Sequence, residues 1–125
     1  MPKLSLLILD EDAYYAGIFA SRFEGAGWTV KVTDSVEDAK KALEKKIPDA
    51  IILDTQPFEE ALDFIHELRR GADTAEMIIM ILTELGDRDQ IQAAQEAGVD
   101  GYYFKGHFFP SEAIQKLRRL VAERS

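Results

Sequence analysis

Apolar residues gather in five short runs along the chain, at 4–9, 28–33, 50–53, 77–82 and 102–104. Four of these, Leu4 to Leu9, Ala50 to Leu53, Met77 to Leu82 and Tyr102 to Phe104, are nearly unbroken, which predicts strands buried on both faces of a parallel sheet. The second run differs. Trp28, Val30 and Val32 alternate with Thr29, Lys31 and Thr33, the period-two pattern of a half-exposed edge strand. Between the runs the spacing is helical. Val36, Ala39 and Leu43 share one face while Lys40, Lys41 and Glu44 turn outward; Leu62, Ile65 and Leu68 repeat the pattern, as do Ile114, Leu117 and Val121. Gly27, Gly71 and Gly98 stand where helices should end in a left-handed residue, and Ser35 or Asp34, then Asp87, stand where helices should be capped. Strand and helix alternating with short joins predict a doubly wound α/β fold, a five-stranded parallel sheet with helices on both faces, in one domain over residues 1–125.

Charge narrows the function classes. Lys and Arg number 15 against 23 Asp and Glu, a net charge of −8, and no basic run exceeds a pair. That balance argues against a nucleic-acid footprint or an anionic membrane surface. With no cysteine, disulfides, thiolate zinc sites and thiol nucleophiles are excluded. Met1-Pro2-Lys3-Leu4 leads straight into the first apolar run, which is too short for a secretory signal or a membrane span, so cytoplasmic residence is expected.

In an open α/β sheet the binding crevice lies at the carboxyl ends of the strands. Asp10, Glu11 and Asp12 follow the first apolar run, Asp54 the third, Thr83 the fourth and Lys105 the fifth. Each has a plain structural reading: Asp10 to Asp12 as a helix cap with first-turn acids, Asp54 and Thr83 as turn residues, Lys105 as a solvated charge. Few structural demands, however, put only acids, a hydroxyl and an ammonium on one rim. His66 and His107 have no partner ligand at useful spacing. Tyr14 and Tyr15 read as packing residues, Met77 and Met80 as core, and Phe108 and Phe109 as anchors of the last helix.

The ordered set LLILDED, PDAIILD, IMILT and AGVDGYYFK resembles the response regulator receiver family, over the whole chain. The resemblance implies a flavodoxin-like (βα)5 fold of the chemotaxis-regulator kind and a phosphorelay switch rather than a metabolic enzyme. It implies that Asp54 accepts a phosphoryl group from a histidine kinase or phosphotransfer protein. Glu11 would bind Mg²⁺ directly and Asp10 through water, with Asp54 and the Gln56 backbone carbonyl completing the protein ligands. Thr83 and Lys105 would contact the phosphoryl oxygens, and Tyr102 stands in the place of the switch aromatic that, with Thr83, would alter a face for a downstream protein or output domain. The residue types suit this chemistry: Mg²⁺ prefers oxygen ligands, and phosphoryl transfer needs positioning and charge neutralisation.

Three local features depart from the family pattern. The loop after Asp54, TQPFEEALDF, is one residue short and brings Pro57 in early. Glu84 follows Thr83 where a small residue is usual, so its carboxylate would hinder or repel a donor. Gly106 follows Lys105 where a cis proline is usual, which moves Pro110 one place later. These keep open a receiver that serves only as a phosphorylation-independent docking module. A second alternative reads Asp10-Glu11-Asp12 as the Asp-x-Asp of a haloacid-dehalogenase-like phosphatase, with Asp10 as nucleophile and Asp12 as acid. It lacks an acidic pair beyond Lys105, where only Glu112 and Glu123 occur. A flavodoxin-type FMN site lacks the phosphate loop.

Overall fold

A computed structural model describes residues 3–124. Met1 and Pro2, part of the N-terminal run discussed above, and Ser125 lie outside the described residues. Strand β1 (Ser5–Leu9) leads to helix α1 (Ala13–Gly25), β2 (Thr29–Thr33) to α2 (Val36–Lys45), and β3 (Ala50–Leu53) to α3 (Phe58–Arg70). Then β4 (Ile78–Thr83) leads to α4 (Arg88–Ala97), and β5 (Gly101–Phe104) to α5 (Pro110–Arg124). The strands form one sheet in the order β2-β1-β3-β4-β5, and every neighbouring pair is parallel. From β1 the chain winds first outward to β2 and then back across to β3, so the winding reverses between β1 and β3. A crevice opens at their carboxyl ends.

The unbroken apolar runs are explained by two cores. Leu6, Ile8, Ile52, Met80 and Leu82 face one layer with Phe19 and Phe23 of α1 and Leu117 of α5. Leu7, Leu9, Ile51, Leu53, Ile79 and Ile81 face the other with Ala39 of α2, Phe64, Ile65 and Leu68 of α3, and Ala94 of α4. Every residue of β1, β3 and β4 is buried, which removes water from both faces of the central strands.

The edges depart from expectation in two places. Strand β2 lies at the edge, but its alternation fails at the end: Val32 is 41% exposed while Thr33 is buried. Thr33 is kept inside because its hydroxyl donates to the Ile8 carbonyl at 2.9 Å, which satisfies a buried polar group. Strand β5, read as buried on both faces, is only half-buried throughout, because it forms the opposite edge.

Helix ends follow the expected chemistry with one exception. Ser35, Asp87 and also Asp12 accept first-turn N–H groups from Asp38, Gln90 and Tyr15. Gly27 and Gly98 take positive φ of 95° and 102°. Gly71 does not; its φ is −76°. Its lack of a side chain matters for space instead, because a Cβ there would come within 2.6 Å of Thr74 Oγ1, whose hydroxyl donates to the Leu68 carbonyl. Among the described residues no helix is long and apolar enough to cross a membrane.

Candidate functional site

The sheet ladder runs one residue past the strands and fixes the backbone of the acidic rim. Asp10 N–H donates to the Thr33 carbonyl at 3.0 Å, Asp54 N–H to Leu9 at 3.0 Å and Lys105 N–H to Thr83 at 2.9 Å. Three side chains from three strand ends therefore start from one rigid edge, and they meet. Lys105 Nζ lies 2.8 Å from Asp10 Oδ2 and 3.0 Å from Asp54 Oδ2. Thr83 Oγ1 donates to Asp54 Oδ1 at 2.6 Å, and Asp12 N–H donates to Asp10 Oδ1 at 2.9 Å. The side chains of Lys105, Asp10 and Asp54 are only 5%, 7% and 14% exposed, so these are ion pairs shielded from bulk water.

Burial sets the electrostatics. Removal from water raises the Asp10 pKa above its ordinary value, and the bonds from Lys105 and the Asp12 N–H oppose the rise without cancelling it. Burial by itself would lower the Lys105 pKa, but the hydrogen bonds to Asp10 and Asp54 outweigh it, and the ammonium is held above its usual range. The ring of Tyr15 lies beneath this ammonium, 4.7 Å from Nζ to the centroid, a further stabilising contact for a desolvated cation.

Glu11 and Gln56 are exposed. They stand outside the hydrogen-bonded cluster but line, with Asp10, Asp54, Glu84 and Lys105, an open pocket of about 310 Å³. The donor set around that pocket is mostly oxygen, from the four carboxylates just named, that of Asp12 and a carboxamide residue, which suits a hard divalent cation. Among the described residues, no three His, Cys, Asp or Glu side chains stand together in a group able to hold a metal ion. Tyr102 is half-buried, with its hydroxyl donating to the Leu85 carbonyl at 3.2 Å, and its ring occupies the space a side chain at Gly86 would need. Burial raises its phenol pKa. Gly106 has a φ of 86°, and the cis peptide bond of this rim is Gln56–Pro57.

Several other residues take structural places. Asp12 is exposed and caps α1. Glu112 accepts from Phe109 N–H at 3.1 Å, and Glu123 lies 4.0 Å from Arg119, so neither joins the rim as a second acidic pair. His66 and His107 are exposed, and Tyr14 is 80% exposed rather than packed. Sequence reasoning missed Thr55, which is 1% exposed and donates its hydroxyl to Thr83 Oγ1 at 3.2 Å. It also missed the place of Tyr15 beneath Lys105. Thr55 follows Asp54 directly, and only its position beside a strand-end hydroxyl in the next strand could have marked it.

A parallel sheet with the order 2-1-3-4-5, helices on both faces, and acids, a hydroxyl and a lysine at its carboxyl rim defines a doubly wound α/β protein whose crevice is lined by charged side chains. The chain belongs to the response regulator receiver domain family, whose pattern matches residues 6–118. The phosphate regulon transcriptional regulatory protein PhoB of Pseudomonas aeruginosa is 27% identical over 118 residues, covering 94% of this chain and 51% of that protein. The DNA-binding dual master transcriptional regulator RpaA of Synechocystis is 31% identical over 124 residues, covering 97% and 49%. The chain thus spans about half the length of the curated relatives it matches. Among solved structures, a response regulator of Chloroflexus aurantiacus superposes with a TM-score of 0.86 at 30% identity, covering 97% of this chain and 99% of that one. The chemotaxis response regulator CheY4 of Vibrio cholerae superposes at 0.84 with 21% identity, covering 95% and 99%, and speaks for the fold. The chain is therefore the receiver domain of a two-component response regulator.

Proposed function

We propose that residues 1–125 act as one receiver unit that accepts a phosphoryl group on Asp54 from a histidine kinase or phosphotransfer protein. The observation that carries this reading is the junction of Asp54 with Lys105 at 3.0 Å and Thr83 at 2.6 Å. A carboxylate so placed has a cation and a hydroxyl beside it, ready for the phosphoryl oxygens. An Asp54 oxygen attacks phosphorus and the nitrogen–phosphorus bond of the donor breaks. Its electron pair stays on the imidazole, which takes up a proton, and Asp54 becomes an acyl phosphate. Lys105 then neutralises part of a charge of about −2, and the Thr83 hydroxyl turns from the carboxylate to a phosphoryl oxygen. Asp10, Glu11, Asp54 and the Gln56 carbonyl would hold Mg²⁺. When bound, that ion would neutralise charge on the transferring group. Movement of Thr83 opens room beside β4 for Tyr102, whose hydroxyl donates to the loop carbonyl of Leu85. The face around α4, β5 and α5 changes for a downstream protein or output domain. A cytoplasmic setting and no nucleic-acid contact by this domain, given its net charge of −8, complete the proposal.

Intact-mass measurement after incubation with a small-molecule phosphodonor and Mg²⁺ tests it. One phosphoryl adduct is expected on the wild type and none on Asp54→Asn; no adduct, or an adduct that survives the substitution, refutes the assignment. A second reading, a docking module without a phosphoryl cycle, is favoured by one observation: exposed Glu84 adds a carboxylate to a pocket already lined by Asp10, Glu11 and Asp54. Under that reading partner binding is the same with and without the donor, and for Asp54→Asn.

A further inference from the structure

A larger groove than the acidic pocket, of about 730 Å³, runs along the sheet margin between β2 and α2. Two observations on it are independent. The first is the backbone of the edge strand. Thr29 N–H donates to the Leu4 carbonyl at 2.9 Å and the Thr33 carbonyl accepts from Asp10 N–H at 3.0 Å. Alternation along a parallel ladder therefore turns the backbone groups of Thr29, Lys31 and Thr33 toward β1 and those of Val30 and Val32 outward. The second is the sorting of charge. Helix α2 begins at the carboxyl end of β2 and runs back, so Lys45 and Lys46 lie toward the end where β2 starts, on the same groove as Lys31. None of these three ammonium groups has an ion pair or hydrogen bond among the described residues, whereas Lys41 has Glu37 at 3.8 Å. Asp34 and Asp38 line the opposite end.

We propose that this margin binds an extended segment of a partner protein as a sixth strand, with the segment's acidic residues beside Lys31, Lys45 and Lys46 and a basic residue beside Asp34 and Asp38. Main-chain bonds to Val30 and Val32 provide the pairing, as in strand addition to an open sheet edge, and the sorted charges fix which end of the segment goes where. A nucleic acid fits less well. Its uniform charge would meet Asp34 and Asp38, and it would leave the outward amides unused. The proposal does not depend on chemistry at Asp54.

The test uses a fluorescein-labelled peptide, Glu-Asp-Val-Thr-Val-Thr-Val-Lys, and its charge-reversed counterpart, titrated by anisotropy. Saturable binding of the first is expected, with at least about tenfold weakening, or 1.4 kcal/mol, in Lys45→Glu/Lys46→Glu. Val32→Pro removes one outward N–H at a position where an edge strand tolerates proline, and should abolish binding while the circular dichroism spectrum is kept. Amide exchange on the wild type supplies a second measurement: Val30 and Val32 amides should slow when peptide is added. The proposal is overturned by the absence of saturable binding, by equal binding of the charge-reversed peptide, by unchanged exchange at Val30 and Val32, or by a DNA duplex that competes through the same lysines.

Discussion

Lys105 sits between the buried Asp10 and the largely buried Asp54 carboxylates, 7% and 14% exposed, and over an aromatic ring, and its removal leaves both without a counter-charge. Lys105→Met is expected to destabilise the protein by roughly 3 kcal/mol at neutral pH, the scale for orphaning a buried charge, measured by urea unfolding. The sign with pH follows from the raised Lys105 pKa. Its contribution is complete below the pKa of an unfolded lysine and is lost as pH climbs through the folded value. The gap between wild type and variant should therefore narrow in strong alkali, and a gap that widens there would contradict the pairing. Thr55→Val keeps the shape and deletes the donor to Thr83, so a loss of about 1 kcal/mol is expected in the same assay. Asp10, Asp54, Thr83 and Lys105 were legible because each directly follows an apolar run. Thr55 and Tyr15 were not, because their roles depend on which strand or helix lies alongside, and the order of strands is a long-range fact.

At the scale of elements, the opposite rim of the sheet is held by a different charge. The Arg69 guanidinium, on α3, donates to the carbonyls of Gly98, Ala75 and Met77 at 3.0, 2.9 and 2.6 Å and to Asp100 Oδ2 at 3.0 Å. Asp100 in turn accepts from Ile79 N–H at 2.8 Å. One side chain thus ties the α3–β4 loop to the α4–β5 turn, in a place so dry that burial lowers its pKa despite Asp100. Arg69→Met should cost roughly 3 kcal/mol in urea unfolding, since it leaves several carbonyls without their donor and removes one of the two guanidinium groups on Asp100, Arg124 being the other. Nothing in the spacing of α3 marked Arg69; it reads as an ordinary basic residue in a last helical turn. The edges show the same limit. Alternation identified β2 as an edge, but the unbroken Tyr102-Tyr103-Phe104 run concealed that β5 is the other, because aromatic residues fill a half-buried strand as readily as a buried one.

For the whole molecule, a net charge of −8 and an acidic crevice mean that divalent cations should favour the folded state. Thermal unfolding in Mg²⁺ at a hundredfold excess over its dissociation constant should show a gain of about 2.7 kcal/mol, and Asp10→Asn should reduce it. An unchanged melting temperature in wild type would argue that the crevice binds no such ion. The fold class was legible at this scale because five alternating strand and helix signals admit few topologies. The placement of Glu11 and Gln56 outside the cluster was not, because local spacing fixes which rim a residue joins but leaves its rotamer open.

The two oxygens of Asp54 are both spoken for, one by the Thr83 hydroxyl and the other by the Lys105 ammonium. Each carboxylate oxygen carries two lone pairs and these contacts take one apiece, so the group is pinned in orientation while a pair on either oxygen stays available to an electrophile. A nucleophile pinned but not capped keeps its aim while its reagent arrives, and freeing it at Thr83 would cost that alignment.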